Sequence, residues 1–231
     1  MEIKKLNVSV VVLARDHNPS ILHPSFLSSQ GIVPEEWELA ESPICTPPLS
    51  MVKYKNGIVF TVESNKFQVL QSPPPQQLRD SEVPQLALRY IEKLPHVRYT
   101  AVGINMAVAL IHPKPEEFLI EKFLVLKSCN VDDLHLKAVS LRLVYPVENG
   151  ILNLSCDPGV VEEKKSTSKS SGVIISANYH TECVGDNAVE EVKKVISTFA
   201  NRCEHFAVSY THLRAHETSL HIVCRLLLEK K

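Results

Sequence analysis

Arg142, Asn178 and His180 are the residues of this sequence whose types best combine into a binding site. An arginine fork grips a carboxylate or phosphate through paired donors, an amide donates and accepts at once, and an imidazole titrates near neutral pH. What brings them together is alternation. Ser140 and Arg142, then Asn153 and Ser155, then Ser176, Asn178 and His180 fall opposite the apolar positions of three strand-like runs. One sheet would therefore carry them all on one polar face. An antiparallel sheet ordinarily shows a polar face to water, and that plainer reading weighs more than a ligand site.

Other candidates are thinner. Asp16-His17-Asn18 closes the first strand-like run, where a histidine beside an aspartate can act as a general base. The same residues end strands and cap turns, which is the stronger reading. His180-Thr181-Glu182-Cys183 is the one close His/Cys pair, and two ligands cannot close a four-coordinate zinc site, so no metal is expected. His96 and Arg98 read as surface residues. No Gly-rich phosphate loop, nucleophile elbow, HExxH or CxxC occurs, so no cofactor and no catalytic residue is assigned.

The elements that must position these residues follow from periodicity. Leu6, Val8, Val10, Val12 and Ala14 alternate as a half-buried strand. Short helical turns follow among Asn18-Pro19-Ser20 and His23-Pro24-Ser25. Met51–Tyr54 and Ile58–Val62 flank Asn56-Gly57, the signature of a two-residue hairpin. Phe67–Leu70 continue as strand, Pro73–Pro75 stop it, and Ser81 caps a helix carrying Val83, Ala87, Tyr90, Ile91 and Leu94. A long strand over 97–111 has a small second face (Ala101, Gly103, Asn105, Ala107, Ala109), which predicts a helix or another backbone packed close against it. Pro115-Glu116-Glu117 opens a helix to Leu126. Strands at Val139–Tyr145, Ile151–Cys156 and Val173–Tyr179 follow, with Asn149-Gly150 as a second hairpin turn and Glu162–Ser171 as a charged, serine-rich loop. Asp186 caps one long helix whose stripe is Val189, Val192, Ile196, Phe199, Cys203 and Phe206.

These elements define an α+β fold of mostly antiparallel sheet with helices packed on it. Residues 1–95 and 96–206 each read long strand, helix, three strands and helix, so the order admits two β-α-β-β-β-α pseudo-repeats packed as one unit.

The end of the chain reads differently. Val208–Lys231 can be written in codons that resemble a transposase-based sequencing-library adaptor: Val208 to Thr218 match one end of it, Val223 to Glu229 the other. The residues between leave room for an index, and Lys230-Lys231 reads as a run of A bases. The resemblance implies that residues 207–231 are a non-native tail and that His212, His216, His221 and Cys224 carry no chemistry. Residues 208–231 hold four basic and two acidic side chains, so leaving them out moves the net charge from −1 to −3. Neither value draws the chain to nucleic acid or to an anionic membrane. No apolar run reaches the roughly 18–20 residues of a membrane span, and Met1–Arg15 lacks the continuous apolar stretch of a signal peptide. The five cysteines left (Cys45, Cys129, Cys156, Cys183, Cys203) are odd in number, which implies reduced thiols and a cytoplasmic setting.

The element order and the stretch "GIVPEEWELAESPICTPP" resemble a family of uncharacterised bacterial proteins, cyanobacterial ones included, over residues 1–206. The resemblance implies no activity and transfers no site. Two functions stay open on the residues alone. One is a non-catalytic binding or assembly module, with a protein partner or a second copy. The other is an enzyme or small-ligand sensor with a cleft near Arg142 and His180.

Overall fold

A computed structural model describes residues 2–124, 136–162, 169–183 and 187–214. One nine-stranded antiparallel sheet organises them. Its strands are β1 (Ile3–Arg15), β2 (Ile44–Cys45), β3 (Leu49–Lys53), β4 (Ile58–Glu63), β5 (Lys66–Gln71), β6 (Arg98–Ile111), β7 (Leu141–Val147), β8 (Gly150–Glu162) and β9 (Lys169–Glu182). The helices are α1 (Pro24–Ser29), α2 (Val83–Lys93), α3 (Pro115–Phe123), α4 (Ala188–Ser197) and α5 (Phe199–Arg214). The architecture is the expected α+β class.

Strand order across the sheet is β2-β3-β4-β5-β1-β6-β9-β8-β7. The long strand of each half lies at the centre, and β1 and β6 pair from Ile3–Leu110 to Arg15–Arg98. Each central strand then pairs with the last strand of its own half, β5 or β9. Both are hydrogen-bonded on two sides, as an interior strand of small and β-branched residues favours.

Alternation sorts the two faces. Val8, Val10 and Val12 of β1, Val102, Ile104, Met106 and Val108 of β6, and Ile175, Ala177 and Tyr179 of β9 are all buried. They join one core with Val83, Ala87, Tyr90 and Ile91 of α2, Val192 and Ile196 of α4, and Phe199, Cys203 and Phe206 of α5. Phe67 and Tyr90 stack in that core with ring centroids 3.8 Å apart.

Several expectations shift in detail. Both hairpins turn earlier than Asn-Gly suggests. The first uses a three-residue loop, with Tyr54 N donating to Ile58 O and Gly57 in the left-handed region at φ 86°, the geometry of a turn followed by a glycine bulge. The second pairs Val147 with Gly150, so Glu148-Asn149 make the turn, with Asn149 at φ 59°. Gly150 is needed for a different reason: a Cβ there would lie 2.1 Å from the His180 carbonyl oxygen. The β8/β9 arms reach Glu162 and Lys169, joined by a salt bridge of 2.7 Å. Residues 169–171 are therefore strand, and 163–168 lie outside the described residues. The long C-terminal helix breaks in two at Thr198. Ser197 Oγ donates to Lys194 O and Thr198 Oγ1 to Val195 O, side-chain bonds that compete with the helical ladder. Asp186 lies outside the described residues, and Asn187 precedes α4.

Candidate functional site

Three asparagines and a serine stand in one row. Register places Ser9 of β1 opposite Asn105 of β6, Asn105 opposite Asn178 of β9, and Asn178 opposite Asn153 of β8. Paired strands lie about 4.8 Å apart and side chains stand nearly perpendicular to the sheet, so directly opposed amides can bond. They do. Arg142 Nη2 donates to Asn153 Oδ1 at 3.1 Å, and Asn153 Nδ2 to Asn178 Oδ1 at 3.2 Å. Asn178 Nδ2 donates to Asn105 Oδ1 at 2.6 Å, and Asn105 Nδ2 to Ser9 Oγ at 3.3 Å.

The chain has a direction. It begins at an exposed cation on β7, spans five strands and ends on β1 at a serine only 2% exposed. Each asparagine spends one N–H and one oxygen lone pair on the row and keeps one of each for another partner. Gly103 makes room for it, since a Cβ there would lie 3.1 Å from Asn178 Nδ2. At Gly103 and Asn105 it is cross-strand side chains of this kind that lie over the small face of β6. A cleft of about 480 Å³ over the row is lined by strand residues alone, among them Asn7, Ser155 and Ser176.

Arg142, Asn178 and His180 all leave the sheet on this face, by register and by the burial of their alternate neighbours. The structure brings Arg142 and Asn178 together through Asn153. His180 stands apart, opposite Ile151 and Gly103. It lines two clefts at the strand ends, and the cleft over Arg142 does not include it. Asn105 and Ser9, which complete the row, were not paired with it by sequence reasoning; the one signal was a lone amide within an otherwise apolar or small stretch of β6.

One of the two clefts at His180, about 670 Å³, runs between the β7/β8 turn, the end of β9 and α4, and holds Cys183, Glu191, Lys194 and Arg202. A thiol and a histidine lining one cleft suggest nucleophilic chemistry, but burial, and secondarily Glu191, pushes the Cys183 thiol up to about 11. It stays protonated at neutral pH and is inert as a nucleophile.

The Asp16-His17-Asn18 stretch is a turn. Asn18 Oδ1 accepts from Ser20 N at 3.1 Å and heads the 3-10 turn Pro19–Ile21. Asp16 is exposed at φ 61°. His17 turns inward, 5% exposed, with its ring edge toward Tyr99. The two side chains do not pair, so the aspartate cannot orient the ring as a base. Burial holds His17 below its ordinary range, and its Nε2 has no hydrogen-bond partner.

Among the described residues no group of three or more His, Cys, Asp or Glu is placed to hold a metal, and no helix is long and apolar enough to cross a membrane. No protein-family model matches the chain, and no curated protein matches it either.

Proposed function

We propose that this protein is a non-catalytic binding or assembly module that works through the polar face of β6, β9, β8 and β7. The observation that carries this reading is the side-chain row from Arg142 to Ser9. Amides locked to one another across strands are preorganised, so a partner meets donors and acceptors already fixed in place. An isolated solvated face has no need of that order. One cleft holding both Arg142 and His180 would have favoured the enzyme or sensor reading, and these residues line different clefts.

The test compares the native chain with R142A and N178L variants that melt like it or are corrected for stability. Sedimentation measures self-association, and affinity capture followed by reconstitution from purified components measures binding to another protein. A complex formed by the native chain and weakened at least tenfold in both variants supports the reading. A complex indifferent to both variants, or a native chain that forms none, defeats it.

Further parts of the reading rest on separate support. A cytoplasmic setting is supported by the free thiols Cys45, Cys156, Cys183 and Cys203, disulfides being rare there. Internal duplication is supported by a strand order that reads alike outward from the β1/β6 seam. Bacterial origin rests on the family resemblance of residues 1–206, and the foreign character of residues 208–231 on their codon-level fit to adaptor sequence.

A further inference from the structure

Arg15 and Arg98 are directly opposed in the β1/β6 ladder. Like charges in that relation repel and destabilise a sheet, and a single carboxylate in reach of both would relieve them. None is supplied: neither arginine has an ion-pair partner among the described residues. Lys93 from the last turn of α2 and the imidazole of His96, from the loop into β6, share their cleft. The cleft's one acid, Asp16, is exposed and pairs with none of them. Three fixed cations and an imidazole thus wall a cleft of about 440 Å³ with one carboxylate among them. That size lies in the ordinary range for a small-molecule site.

A second observation is independent of charge. His17 lines the same cleft, is 5% exposed, and leaves Nε2 without a hydrogen-bond partner. Folded chains seldom leave a buried polar atom unsatisfied, and the exceptions concentrate where a ligand or water completes the set. Opposed arginines and an unmet nitrogen line one cleft, and a bound anion gives both a reason to be there.

We propose that this cleft is an oxyanion-binding site for a small phosphorylated or carboxylated molecule, its anionic group held by the guanidinium groups of Arg15 and Arg98. Paired N–H donors on two guanidiniums match the oxygens of a phosphate or carboxylate, and the bound charge removes the repulsion between them. Lys93 adds charge and His96 a ring N–H to the same lining. The site is independent of the amide row: the row's cleft shares no residue with this one.

The test uses the full chain at fixed ionic strength, with chloride exchanged for inorganic phosphate or for citrate, and reads melting temperature and calorimetric affinity. A saturable rise in melting temperature is expected with at least one of the two anions. Loss of about tenfold or more in affinity is expected in R15Q and in R98Q, with R79Q, at an exposed arginine that lines neither this cleft nor the one over the amide row, binding as the native chain does. Phosphate winning over citrate identifies a phosphorylated ligand, and the reverse a carboxylated one. In chloride alone R98Q should melt no lower than the native chain, because the substitution relieves repulsion. No saturable shift with either anion, an equal shift in R15Q and R98Q, or an R98Q that melts several degrees lower in chloride would each overturn the proposal.

Discussion

Asn178 and Asn105 face each other across β9 and β6, and the amide of one donates to the oxygen of the other at 2.6 Å, the shortest bond of the row. Each is held on its far side by a further partner, so removing Asn178 strands both Asn105 and Asn153. The N178L variant should lose about 1–2 kcal/mol in urea unfolding, the lower part of the range for orphaned polar groups because this face is only partly shielded. S176A, one position along the same face without a recorded side-chain bond, should change stability by less than about 0.5 kcal/mol. Equal effects of the two would mean that the row contributes nothing.

His17 should give stability a pH dependence. Its folded-state pKa lies below the ordinary value, with burial the main cause. The unfolded chain therefore takes up the proton first as pH falls, and the folded state loses ground from the ordinary histidine range downward. Melting temperature should fall more steeply between pH 7 and 5 in the native chain than in H17F. Parallel curves would contradict this.

Thiol reactivity should divide the cysteines. Burial pushes Cys156 and Cys203 up to about 12 and Cys183 up to about 11, while Cys45 is exposed. At pH 8, iodoacetamide should label Cys45 within minutes and spare the other three until denaturant is added. Peptide mass spectrometry reads the outcome, and rapid native labelling of Cys183 would reopen it as a nucleophile.

The C-terminal segment can be trimmed in steps. Helix α5 runs on to Arg214, and Tyr210 packs its ring against Phe206 with centroids 5.1 Å apart, while Val208 is 52% exposed. Tyr210 is partly buried against the core. Deleting 212–231 should leave the unfolding free energy within about 0.5 kcal/mol of the native value. Deleting 208–231 should cost somewhat more, through Tyr210. A genomic reading frame that encodes the same tail would show that it is native.

What could be read without coordinates was what repeats locally. The alternation of Val8, Val10 and Val12 and the stripe through Val192, Ile196 and Phe199 announced the strand, the helix and their buried faces. Arg142 and Asn178 fell on one side of the sheet for the same reason. Register was hidden, because which residue stands opposite Asn105 depends on strands distant in sequence. The row could not be assembled from any one segment. The β8/β9 arms were hidden in part because Lys169, Ser170 and Ser171 carry no apolar pattern and are held by backbone pairing and the salt bridge of Lys169 to Glu162. The helix break at Thr198 lay in two hydroxyls that fitted the stripe's spacing without interrupting it.

The pairing of β1 with β6 has a consequence for how the chain can be handled. Neither half owns a closed sheet: cut between α2 and β6, each would present a strand of 13 or 14 residues with one whole side of its backbone donors and acceptors open. Such an edge invites pairing with whatever strand is nearest. Separately expressed halves should therefore either recombine into the full sheet or precipitate. At high concentration the intact chain has a ready route to a swapped dimer, in which β1 of one molecule zips onto β6 of another.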